Sequence, residues 1–109
     1  MQQQVDPAIL PEGIRKRLVA LCRQYGVRDL ALFGSAANGG FDPGTSDVDF
    51  LVSFEPMPPA EHMRSYFGLL EGLEALFGRT VDLVEHASIR NPFVLGSILE
   101  SKVDLYAAA

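Results

Sequence analysis

The stretch LALFGSAANGGFDPGTSDVDFLVSF, residues 30–54, constrains this chain more than any other. It reads as an apolar strand stopped by Gly34-Ser35, a turn-rich loop, and a second strand carrying Asp47 and Asp49. Side chains two apart on a strand share a face, so the two carboxylates project side by side. Val48, Phe50 and Val52 then point the other way, into a core. Two ionised carboxylates held that close repel each other unless protonated or bridged by a cation. Hard oxygen ligands suit Mg²⁺, which binds through one or two carboxylates plus substrate phosphates. Gly34-Ser35 offers a phosphate cradle just upstream, and the two features together suggest nucleotide chemistry.

The remaining elements follow from periodicity and punctuation. Pro11 opens a helix whose residues Ile14, Leu18, Leu21, Cys22 and Tyr25 keep the spacing of one apolar face, and Gly26 is placed to end it. Arg15, Lys16, Arg17 and Arg23 fall on the other side and read as a solvated face. Arg28 to Phe33 forms the first strand and Ser46 to Phe54 the second, with Asn38-Gly39-Gly40 and Asp42-Pro43-Gly44 marking the loop between. After Pro58-Pro59 a second helix runs from about Ala60 to Phe77. Its expected core stripe is Met63, Tyr66, Phe67, Leu70, Leu73 and Phe77, with Gly78 closing it. Gly68 and Gly72, one turn apart, each cost about 1 kcal/mol relative to Ala and so predict the close approach of another element.

Thr80 to Val84 is a third strand, and Asn91-Pro92 caps a last helix expected to turn Phe93, Ile98, Leu99 and Val103 inward. The resulting order is α-β-β-α-β-α. It predicts a single α+β domain over residues 1–109, a small mixed β-sheet packed with helices.

Composition narrows the function. The formal charge of −5 argues against a general nucleic-acid binder, which needs a basic face to displace counterions. The N-terminus lacks a signal-peptide pattern, and no apolar stretch approaches the roughly 20 residues that span a bilayer. A cytoplasmic protein with no membrane contact is expected. Cys22 is the one cysteine, which rules out an intrachain disulfide and reads as a buried filler. His62 and His86 read as surface residues, Tyr66 and Tyr106 as packing residues.

Asp82 is the one charge in the apolar strand TVDLV. If that strand pairs beside Ser46–Phe54, Asp82 joins Asp47 and Asp49 around one cation cluster. At these residues the chain resembles the minimal nucleotidyltransferases (MNT proteins) of the DNA polymerase β-like superfamily. The segment GSAANGGFDPGTSDVDFLVSF matches that family's glycine-serine turn and aspartate strand. GRTVDLV and NPFVLGSILESKVDLYAA resemble its later segments, so the resemblance extends over about residues 12 to 107.

The resemblance implies a polymerase β-like nucleotidyltransferase fold, ATP as substrate and two Mg²⁺ ions. Gly34, Ser35, Asn38 and Ser46 would line the nucleotide, while Asp47, Asp49 and Asp82 would be both metal ligands and catalytic residues. Many relatives carry Arg where this chain has Asn38, which donates a hydrogen bond but brings no positive charge. The resemblance favours the antitoxin branch, which pairs with a helical HEPN-type toxin and transfers AMP from ATP to a tyrosine hydroxyl of it. One competing reading is a non-catalytic module that masks the partner. Another is a small-molecule nucleotidyltransferase, disfavoured because no helical substrate domain is expected in so short a chain.

Overall fold

The computed structural model describes residues 10–34 and 48–108. Among these the elements are α1 (Glu12–Gln24), β1 (Val27–Phe33), β2 (Val48–Phe54), α2 (Pro59–Phe77), β3 (Val81–Glu85), a 3₁₀ turn (His86–Ser88), α3 (Pro92–Ser101) and β4 (Val103–Ala107). The four strands form one sheet in the order β3-β2-β1-β4. β1 lies antiparallel to both β2 and β4, whereas β2 and β3 run parallel. A parallel pair needs a long crossover, and α2 supplies it. The expected α+β class with a small mixed sheet is what the chain adopts.

Helices α1 and α2 cover one face of this sheet. Leu18 and Cys22 from α1 and Leu69 and Leu73 from α2 meet Leu30, Leu32, Val48, Phe50, Val52 and Leu83 in the core. The alternation of β2 therefore works as its sequence predicts, with Val48, Phe50 and Val52 facing the helices. Phe50 also meets Phe77, their ring centroids 5.4 Å apart.

The two helix glycines explain how α1 approaches so closely. A Cβ on Gly68 would run into the Tyr25 ring, and one on Gly72 would lie 2.5 Å from Leu21 Cδ1. Gly78 takes a left-handed φ of 68° and donates its N–H to the Glu74 carbonyl, ending α2 as expected. No helix among the described residues is long and apolar enough to cross a membrane.

Three expectations are corrected. The chain has a fourth strand: Val103 opens β4 instead of closing the last helix, and Leu105 and Tyr106 are buried in the core. Helix α3 turns nothing fully inward: none of its residues is buried, Phe93 is 86% exposed and Leu99 is exposed. Sheet pairing explains both, because β4 occupies the flank of β1 and draws the chain away from a helical continuation. Finally, Met63 and Phe67 of α2 are exposed, and Leu69 fills the core position. The contact with α1 rotates α2 so that Leu69 and Leu73, one turn apart, point at the sheet.

Candidate functional site

Parallel pairing of β2 and β3 is in register, with Val48 opposite Val81, Asp49 opposite Asp82 and Phe50 opposite Leu83. In-register partners on parallel strands point to the same side. Val48, Val81, Phe50 and Leu83 all belong to the core under the helices. Asp49 and Asp82 therefore share the opposite face, on strands about 4.8 Å apart. The expected pairing of the third strand beside the second is present, and it sets these carboxylates next to each other. Asp82 is exposed on the edge strand, while Asp49 is half-buried.

Gly34 completes this corner. It directly follows Phe33, the β1 partner of Asp49, and it adopts a φ of 75°. A Cβ at this position would sit 2.5 Å from Asp49 Oδ2. The left-handed backbone favours glycine here, and a Cβ would force the Asp49 carboxylate to move. The backbone at Gly34 is thus held against the Asp49 carboxylate.

Ser35, Asn38, Ser46 and Asp47 lie outside the described residues. Among the described residues no three His, Cys, Asp or Glu side chains converge in a way that could hold a metal ion. The two that do adjoin, Asp49 and Asp82, offer only hard oxygen donors on a solvent-open face. That donor chemistry fits Mg²⁺, which keeps waters and substrate oxygens in its shell.

The surroundings brace the edge strand. Tyr66 on α2 donates its hydroxyl to the Leu83 carbonyl at 2.6 Å, next to Asp82 in the chain. Burial, and then the charges of Glu85 and Asp82, push its phenol above the ordinary value of 10.0. Tyr66 is therefore a protonated pin between α2 and β3, and Tyr106 is buried in the core, so both are packing residues. His62 is more than a surface residue. Its Nε2 lies 2.7 Å from Glu85 Oε1, and its ring packs on Phe54 with centroids 5.1 Å apart. Cys22 is fully buried, and burial pushes its thiol up to about 12, which keeps it protonated and unreactive.

One feature escapes sequence reasoning. On the aspartate-bearing face a cleft of about 330 Å³ runs past Leu51 and Ser53, which alternate with Asp49 on β2. Arg28, Asp29, His86, Leu99 and Lys102 are among its other walls. Lys102 is ion-paired to Asp104, and Arg28 lies 3.6 Å from Glu55. The signal that could have found it is the alternation in Val103-Asp104-Leu105, which places β4 beside β1 and brings Lys102 and Asp104 to this face.

Residues 14–105 match the family model of the nucleotidyltransferase domain. Protein adenylyltransferase MntA of Thermococcus cleftensis is 41% identical over 71 residues, covering 65% of this chain and 68% of that protein. A candidate protein adenylyltransferase of Methanocaldococcus jannaschii is 37% identical over 94 residues, which is 86% of this chain and 92% of that one. A solved structure of a candidate minimal nucleotidyltransferase superposes with a TM-score of 0.65 at 30% identity, covering 84% of this chain and 88% of the other. A toxin–antitoxin complex with AMP-PNP shares the fold, with a TM-score of 0.62 at 21% identity over 86% of this chain and 73% of the other. The register of the two aspartates, the glycine beside them and a family match over residues 14–105 lead to one conclusion: this chain belongs to the nucleotidyltransferase domain family.

Proposed function

We propose that this protein is the antitoxin of a toxin–antitoxin pair and transfers AMP from ATP to a tyrosine hydroxyl of a HEPN-type helical toxin. The observation that carries the reading is the in-register Asp49–Asp82 pair with Gly34 packed against it. Relatives named as protein adenylyltransferases support the acceptor class. A structure of the same fold, an MNT antitoxin with a tri-AMPylated HEPN toxin from Shewanella oneidensis, shows what such a pair can look like. A cytoplasmic setting goes with this reading.

In this proposal Asp49, Asp82 and Asp47 would hold Mg²⁺, which would supply charge neutralisation to the triphosphate and to the phenolate oxygen as it forms. Gly34 and Ser35, with Asn38 and Ser46, orient the nucleotide so that its α-phosphorus faces the acceptor. The phenolic oxygen attacks that phosphorus, the bond to the β-phosphate oxygen breaks, and pyrophosphate leaves. Asp82, exposed on the edge strand, takes the phenol's proton. The adenylyl group then adds negative charge to a toxin surface that must hold RNA.

A second reading is masking without chemistry, and α3 favours it. A ten-residue helix with nothing buried and an exposed Phe93 offers a ready surface for a protein partner. Intact mass spectrometry of a HEPN-type partner, incubated with this protein, ATP and Mg²⁺, separates the two. The transfer reading expects the mass of one or more added AMP groups on a tyrosine. An unmodified partner that is nevertheless inhibited stoichiometrically establishes masking instead.

A further inference from the structure

Charge is unevenly divided along this chain. Helix α1 carries four of its nine basic residues, Arg15, Lys16, Arg17 and Arg23, but only one of its fourteen acidic residues, Glu12. The formal −5 therefore splits into +3 on α1 and −8 on everything else. Lys16 lies 3.5 Å from Glu12, but both ends of that pair are largely exposed, and such pairs contribute little. Among the described residues Arg15, Arg17 and Arg23 have no carboxylate within ion-pair distance. Because Leu18 and Cys22 turn toward the sheet, this cationic surface looks outward, on the far side of the molecule from Asp49 and Asp82.

Its shape is as informative as its charge. Arg15, Lys16, Val19, Ala20 and Arg23 line a shallow hollow of about 320 Å³. Positions 15, 19 and 23 form one row of four-residue steps along the helix, and 16 and 20 form the next. A groove between two such rows is what a second helix packs a ridge into. Cations stand at the ends of this groove, and exposed Ala20 with the outer part of Val19, a half-buried residue packed against the core, makes a small apolar middle. The matching ridge carries a carboxylate, an apolar side chain and a second carboxylate at successive four-residue steps, about 6 Å apart. A nucleic acid would use the cations but leave the apolar floor empty, and the −8 elsewhere would repel a long polyanion.

We propose that the exposed face of α1 is a docking surface for an acidic amphipathic helix of a partner protein, separate from the site of nucleotidyl transfer. The test uses the full ¹⁵N-labelled chain at low salt and three probes. These are a helical peptide with the Glu-Leu-Glu row just described, a scrambled peptide of the same composition, and a short single-stranded RNA. The helical peptide shifts amide resonances confined to α1 and binds about tenfold more tightly than the scrambled one. The variant R15E/R23E loses that binding and regains it when the peptide's glutamates are changed to lysine. If the double variant does not fold, R23E alone, at an exposed position, carries the same charge-swap comparison. Equal binding of the scrambled peptide, shifts centred away from α1, tighter binding of RNA, or failure of the charge swap to restore binding would each overturn the proposal.

Discussion

Gly34 and Asp49 constrain each other, and that mutual constraint can be measured. Gly34→Ala introduces a Cβ 2.5 Å from Asp49 Oδ2 at a φ of 75°. The left-handed conformation alone costs an L-residue roughly 1–2 kcal/mol, and the clash adds to it. We expect Gly34→Ala to lower unfolding free energy by about 2–3 kcal/mol in the wild-type background, but only by the backbone part when Asp49 is also Ala. Urea denaturation of the four proteins gives the coupling, and strictly additive losses would show that the two residues do not touch. The sequence revealed this corner because Asp49 and Asp82 each interrupt an apolar strand and glycine is the residue that suits a left-handed turn. It did not reveal the His62–Glu85 contact. Those residues are 23 apart, and only the packing angle of α2 over β3 brings them within 2.7 Å.

At the scale of elements, the pairing of α1 with α2 rests on glycines that local propensity alone would discard. Gly68→Ala raises helix propensity by about 1 kcal/mol but places a methyl group against the ring of Tyr25. Overpacking of this kind costs roughly 1–3 kcal/mol, so the expected net effect is destabilising. Gly13→Ala on α1 meets nothing within 4 Å and is expected to stabilise the protein by a few tenths to ~1 kcal/mol. Thermal melts of the two variants should move in opposite directions; a stabilised Gly68→Ala would contradict the close contact. Helix and strand periods made α1, α2 and the first three strands legible. The end of the chain was harder, because α3 stops at Ser101 without a glycine or proline and β4 begins two residues later. With Val103 in β4 and not in the helix, Phe93 and Leu99 stay exposed instead of turning inward.

At the scale of the whole molecule, the sheet separates two surfaces of different character. One face is closed by α1 and α2, with the cationic side of α1 outermost. The other carries Asp49, Asp82, the cleft along β2 and the uncovered helix α3. In the proposed transfer the acceptor meets this second face, where Asp82 is exposed. There Asp49 and Asp82 supply chemistry and do not hold the fold together. Replacing Asp49 and Asp82 with Asn removes in-register like charges and no core volume, and Asn keeps an oxygen acceptor of much the same shape, so the metal-free melting temperature should stay close to that of the wild type. The decisive measurement is AMP incorporation into a HEPN-type partner by the wild type and by the Asp49→Asn/Asp82→Asn protein, with Mg²⁺ and ATP, alongside their melting temperatures. Incorporation is expected to fall at least about a hundredfold with an unchanged melt. Undiminished incorporation, or a protein that melts well below the wild type, would contradict it.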